Sequence, residues 1–280
     1  MYIDLKVKGI SRTLYIHKIR EIDQTTLIKE FVKPGMYCLD LGANIGYYTL
    51  LFSSLVGKSG KVFAVEPDSR NLPLLKKNIE LNGISEIVNL FPVGVGSEDS
   101  KTYFFQSEYS NLSKLDFSGN KKSEIIDVLS LNSLGKIIGN VNVIRMDIEG
   151  AELLVISNNS LIYLSKLEMG TRIFVEVHPN NYLENNDEFS FEKTVEILGK
   201  AGFNSLSVIS SGASYSKVFT DLNYVPSRSF IENKWERFQF DNIRVDDLIS
   251  LCTKIPKVVR YAIFTKSILK TSLDTQVASH

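Results

Sequence analysis

The chain has 280 residues, 44% hydrophobic and 23% charged, the balance of a globular protein long enough to bury a sizeable core. Its 32 basic residues equal its 32 acidic ones, which argues against a long nucleic-acid footprint. Only Cys38 and Cys252 are present, so there is neither a disulfide framework nor a CxxC pair, the opening has no uninterrupted apolar leader, and a cytoplasmic protein without a membrane span is expected.

Ile3, Leu5 and Val7 alternate with polar residues, and Ile10, Leu14 and Ile16 keep roughly that period after Lys8-Gly9, which predicts an N-terminal β-hairpin. Residues 18–32 carry a helical stripe of Ile19, Ile22, Leu27, Ile28 and Phe31, ended by Pro34-Gly35. Hairpin and helix together make an expected unit over 1–33, ahead of a domain over 34–266. Within that domain strand and helix patterns alternate: "MYCLDL", a helix over 46–56, "KVFAVE", a helix over 69–82 closed by Asn82-Gly83, and "EIVNLFPV". Such alternation predicts an α/β fold with a Rossmann-like, doubly wound, mostly parallel sheet, followed by C-terminal additions. Over 94–135 the pattern weakens, with "SEDSKTYFFQ" and "SEIIDVLSL" as candidate edge strands around a long polar loop. It returns in "NVNVIRMDIEG", "TRIFVEVHP", a helix over 188–201, "NSLSVIS" and "VVRYAIFTK". Residues 267–280 are expected to be a disordered tail.

The stretch "DLGANIGYYT" sits where a strand turns into a helix. In open α/β sheets ligands bind beyond the carboxyl ends of the strands, and glycines let a ligand approach the backbone. A dinucleotide fingerprint needs G-x-G-x-x-G, whereas the spacing here is D-x-G-x-N-x-G. An acid at Asp40 suits an ammonium group better than a pyrophosphate. Glu66, ending the next strand before Pro67, stands twenty residues after Gly46, where an acid accepts hydrogen bonds from ribose hydroxyls. A ligand with an amino-acid end, a ribose and no phosphate is S-adenosylmethionine. Its expected contacts are Asp40, Gly42, Ala43, Asn44, Gly46, Glu66, Pro67 and Asp147.

"DLGANIGYYT" resembles motif I of class I S-adenosylmethionine-dependent methyltransferases, and of the FkbM family in particular. "VEPDSRNLPLLKKNIELNG", "VIRMDIEGAELLVI" and "VEVHP" resemble later segments of that family in the right order over about 36–210, with Arg145 where the family carries lysine. The resemblance implies O-methyl transfer to a hydroxyl of a sugar, glycan or small metabolite. A weakly nucleophilic hydroxyl benefits from a general base. Asp147 and Glu149 follow one strand; Glu176 and His178 follow the next and share one side of it. His178 is the expected base, Glu176 its orienting partner and Asp147 a further catalytic group, while Glu152 is expected on a helix surface. No residue is assigned as a metal ligand, though Asp147, Glu176, His178 and Asn180 offer an oxygen-rich set for a divalent cation such as Mg²⁺. Tyr47 or Tyr48 can line the donor pocket, Ser113 and Asn111 the acceptor side, and Trp235, Phe238 and Phe240 either an acceptor wall or plain packing. The competing readings are a non-catalytic S-adenosylmethionine-binding protein and a methyltransferase of nucleic acid or protein. "DIEG" where amino-methylating DNA enzymes carry N/D-P-P-Y/F disfavours the nucleic-acid reading.

Overall fold

The structure is a computed structural model, and it describes residues 1–5, 10–107, 113–116, 123–178, 189–232, 234–254 and 258–268. The chain opens with helices α1 (Ile10–His17) and α2 (Ile22–Phe31). Then come β1 (Tyr37–Leu41), α3 (Tyr47–Val56), β2 (Lys61–Val65), α4 (Leu72–Leu81) and β3 (Val88–Phe91). The middle holds β4 (Gly94–Gly96), β5 (Ser100–Phe105), β6 (Lys114–Asp116), β7 (Ser123–Ser130) and α5 (Leu131–Ile138). After it come β8 (Val143–Met146), α6 (Glu152–Val155), α7 (Leu161–Lys166), β9 (Arg172–Glu176), α8 (Phe191–Lys200) and β10 (Ser205–Ser210). The chain closes with α9 (Ala213–Asp221), β11 (Arg228–Glu232), β12 (Trp235–Asp241), α10 (Val245–Thr253) and β13 (Val259–Thr265).

Nine strands form one sheet in the order β11-β12-β10-β13-β9-β8-β1-β2-β3. From β9 to β3 every neighbour is parallel, and the strands are buried apolar runs, as a sheet covered on both faces requires. β13 enters antiparallel between β9 and β10. The order reverses at β1, between β2 and β8, so a crevice opens beyond their carboxyl ends. Two core clusters line the sheet, one around Leu39, Ile144, Val175 and Phe264, the other around Phe52, Val62, Phe174 and Tyr261. Among the described residues no helix is long and apolar enough to cross a membrane.

The start of the chain departs from the expected hairpin: Ile10–His17 is a helix. Ile10 and Leu14 are four apart, a spacing that fits one face of a helix and also a period of two. Both pack against Ile45 in the loop after β1, whereas Ile16, which only the strand pattern needed, is exposed. The expected edge strands over 100–105 and 123–130 instead pair with each other in a second, four-stranded sheet, β4-β7-β5-β6. The polar stretch between them contributes β6 to this sheet, and Asn111 lies outside the described residues. The tail from residue 269 also lies outside them. At the other end Phe240 stacks on Phe219 at 4.3 Å, which makes it core, while Trp235 is exposed on β12 near the sheet's edge.

Candidate active site

β1 delivers Asp40 and Leu41 to the crevice, and the chain then turns sharply. Gly42, Asn44 and Gly46 all take left-handed backbone, at φ 84°, 51° and 96°. Asparagine tolerates that region when its side chain bonds locally, and Asn44 Oδ1 accepts from the Ile45 N–H at 2.9 Å. Gly42 answers a second constraint: a Cβ there would sit 2.0 Å from the Asp147 carbonyl oxygen. That close approach comes from the neighbouring loop after β8.

Glu66, at the end of β2, is buried. Its Oε2 accepts from the Asn44 N–H at 2.7 Å, and its Oε1 from the Asp68 N–H at 2.9 Å and Asn71 Nδ2 at 3.2 Å. Burial pushes this carboxyl up to about 7, against the pull of those three donors. The second loop, after β8, is dense in charge. Arg145 is buried and spans both loops: Nη1 donates to Asp40 Oδ1 at 3.1 Å and to the Gly42 carbonyl at 3.2 Å, and Nη2 donates to Asp147 Oδ2 at 2.5 Å. Its guanidinium carbon also lies 4.1 Å from the centre of the Tyr48 ring, a cation–π contact. Thr49 Oγ1 donates to the other Asp40 oxygen at 2.8 Å. Asp40 is fully buried behind the loop with both oxygens engaged by the protein, and it stands behind the cavity wall rather than in it.

Asp147 faces the cavity. Burial would raise its carboxyl, but Arg145, Arg20 and His178 hold it down to about 2, so it stays ionised. Glu149 follows at φ 54° and Gly150 at 101°, and this left-handed pair is closed by Glu152, whose oxygens accept from the Ile148 and Gly150 N–H groups at 3.0 and 2.9 Å. Glu152 is fully buried, not on a helix surface. It also takes the place expected for Glu176: His178 Nδ1 donates to Glu152 Oε1 at 3.0 Å. Burial opposes charging of His178, yet Glu152, Glu176 and Asp147 push it up to about 10, so its ring is an imidazolium at neutral pH. Glu176 lies 3.6 Å from Arg260, and burial with Asp147 and Glu21 nearby pushes it up to about 8. Burial pushes Glu149 up to about 7 despite His178 Nε2, 3.7 Å from its Oε2.

The cavity between the loops holds about 770 Å³ of empty space including its open mouth. Gly42, Ala43, Asn44, Glu66, Pro67 and Asp147 line it, as do Tyr47 and Tyr48; Gly46, Asp40, Glu176 and His178 do not. Ser113 lines it too and accepts from Arg70 Nη2 at 2.9 Å. Arg20 and Glu149 also line it. Glu149 was visible as an acid in "DIEG", but nothing local in the sequence marks Arg20. For a divalent cation, Asp147, Glu149 and His178 each bring one ligand atom, all within 4.8 Å of one another. Glu149 thus stands where Glu176 was expected, and Asn180 lies outside the described residues.

Strand order, the glycine turn at the switch point and a ribose-distance carboxylate together define a class I S-adenosylmethionine-dependent methyltransferase. A model of the methyltransferase FkbM domain matches residues 40–205, more than half of the chain, and the chain belongs to that family. It is 29% identical over 131 residues to a probable cobalt-precorrin-6B C(15)-methyltransferase (decarboxylating) of Sulfurisphaera tokodaii, covering 44% of this chain and 68% of that protein. It is 37% identical over 59 residues to protein-L-isoaspartate O-methyltransferase 1 of Arabidopsis thaliana, covering 21% of this chain and 26% of that one. Among solved structures it is similar to a methyltransferase FkbM from Methylobacillus flagellatus, at 15% identity and a TM-score of 0.40 over 78% of this chain and 50% of that one.

Proposed function

We propose that this methyltransferase acts on a hydroxyl of a sugar, glycan or small metabolite, in the cytoplasm. The observation that carries the reading is Glu149, a carboxyl in the cavity wall held near neutrality, where a general base for a hydroxyl works best. When bound, S-adenosylmethionine supplies an electrophilic methyl on a positive sulfur. Glu66 would hold its ribose hydroxyls, and the backbone of Gly42–Asn44 would supply the floor of the site. Glu149 would take the proton that the acceptor oxygen loses. His178, as imidazolium, sits on Glu152 and steadies the Glu149 carboxylate. Asp147, ionised throughout, binds donor rather than moving protons. In this assignment the base is Glu149, with His178 and Glu152 positioning it. Two buried free cysteines are in keeping with a reducing compartment.

The test is a screen of hydroxylated sugars and metabolites for methyl transfer, followed by the Glu149→Gln variant. Retained turnover in that variant would remove Glu149 as base. A second reading rests on the three ligand atoms within 4.8 Å: a divalent cation on Asp147, Glu149 and His178 would polarise the acceptor oxygen. Loss of turnover on chelation, restored by Mg²⁺ or Mn²⁺, would favour it; indifference to chelator would rule it out.

A further inference from the structure

Arg20 lies outside the matched family region, in the short link between α1 and α2, yet it forms part of the cavity wall. The link is held firmly. Glu21 takes left-handed backbone at φ 50° and is buried, accepting from Tyr48 Oη at 2.8 Å and facing Arg260 at 3.3 Å. The Arg20 carbonyl accepts from Thr25 Oγ1 at 2.8 Å, and its N–H donates to Tyr47 Oη at 3.2 Å. Among the described residues its side chain makes one hydrogen bond, Nε to Glu21 Oε1 at 2.5 Å, beside an ion pair of Nη2 with Asp147. Nη1 and Nη2 make no hydrogen bond among the described residues, and Nη2 stops 3.7 Å from Asp147 Oδ2. A guanidinium that is only 16% exposed, fixed at its stem and open at its fork, is prepared for a planar anion.

The topology says which end of the donor meets it. Glu66 ends β2 on one side of β1, and Asp147 follows β8 on the other. A donor with its ribose on Glu66 must lay its amino-acid end across the β1 loop toward Asp147 and Arg20. That end is a zwitterion, and the wall there sets Arg20 beside Asp147; Glu149 lines it too, and so does Arg145, whose Nη groups already bond Asp40, the Gly42 carbonyl and Asp147.

Building on the methyl-donor reading, we propose that Arg20 is the specificity residue for the donor's carboxylate, held by the Nη fork while Asp147 faces the ammonium. The N-terminal helices then complete the donor site from outside the family domain.

The experiment compares two ligands by calorimetry on the full chain: S-adenosylhomocysteine, which carries the amino-acid end, and 5′-methylthioadenosine, which lacks it. Arg20→Gln is expected to weaken the first by roughly tenfold or more, as the loss of a charge-assisted pair requires, and to leave the second within about twofold. Arg20→Lys, which keeps the charge but not the fork, should fall between. Equal weakening of both ligands in Arg20→Gln would make Arg20 a structural brace and overturn the assignment. An unchanged affinity for both would overturn it too, sending the guanidinium to the acceptor. Binding of neither ligand by the wild-type chain would defeat the methyl-donor reading itself, a failure separate from either of these.

Discussion

The two loops that face each other across the crevice solve one geometric problem with opposite chemistry. The loop after β1 turns on Gly42, Asn44 and Gly46, all left-handed, and carries no charged residue from Leu41 to Gly46. The loop after β8 turns on Glu149 and Gly150, also left-handed, and gathers Asp147, Glu149, Glu152 and His178 within a few ångströms. One offers backbone, the other charged side chains. A donor that needs a close-fitting floor belongs over the first, and the proton that must leave the acceptor belongs beside the second. The proposed assignment divides binding from chemistry between the loops, and Arg145 ties them through the Gly42 carbonyl and the Asp147 carboxylate.

The sharpest way to break this division is at the charged loop. Glu149→Gln is expected to lower turnover by about 10²–10⁴-fold while donor affinity changes little, because a general base acts on the reaction and not on donor binding. Steady-state kinetics beside calorimetry checks this, and an equal loss in both would merge the two roles. Next comes the tie between the loops. Arg145→Ala leaves Asp40 buried without its cation and is expected to cost about 3–5 kcal/mol in denaturant unfolding; a loss below about 1 kcal/mol would mean the loops hold their shape without it. At the backbone loop, Gly42→Ala forces a Cβ against the Asp147 carbonyl at φ 84°. The backbone strain alone is expected to cost about 1–3 kcal/mol, and the displaced floor should weaken donor binding with it.

Acid–base behaviour sharpens the contrast further. The Glu66 and Glu149 carboxyls both sit at about 7, above the ordinary 4.5. A carboxyl raised in the folded state holds its proton better there than in the unfolded chain. Both therefore favour folding at low pH, and that contribution is lost as pH rises from about 4.5 through about 7. In the proposed function the dependence runs the other way, since a ribose-binding Glu66 and a general base Glu149 would both act as carboxylates. Donor affinity and turnover are expected to rise across the same window in which unfolding free energy declines, and a flat turnover profile between pH 5.5 and 8, values set by that window, would count against Glu149. The smallest effect is expected far from both loops: Trp235→Ala, at an exposed position on β12, should stay within about 0.5 kcal/mol and leave kinetics unchanged.

The two loops also differed in how much the sequence disclosed. Gly42, Asn44, Gly46 and Glu66 stood out because a left-handed turn and a short strand-to-strand spacing restrict residue types locally. The parallel strands were readable for the same reason, as short apolar runs between turn signals. The charged loop was readable only as a list of acids. Which of them takes which role depends on partners distant in the chain: His178 on Glu152, 26 residues away, and Arg145 on Gln24, 121 residues away. Burial raises the Glu149 carboxyl to about 7, while Glu152, Glu176 and Asp147 charge His178 against the pull of burial, and no local pattern carries that information. Residues 10–17 failed differently, since Ile10 and Leu14 satisfy both periods and only contact with Ile45 decides between them.

The most direct test of the central claim, that the backbone loop and Glu66 hold S-adenosylmethionine, is a calorimetric titration of the wild-type chain and of Glu66→Ala, with NAD as control. Micromolar binding of S-adenosylmethionine by the wild-type chain, none of NAD, and a loss of roughly tenfold or more in Glu66→Ala is the predicted result. Undiminished binding in Glu66→Ala, or equal binding of NAD, would contradict it.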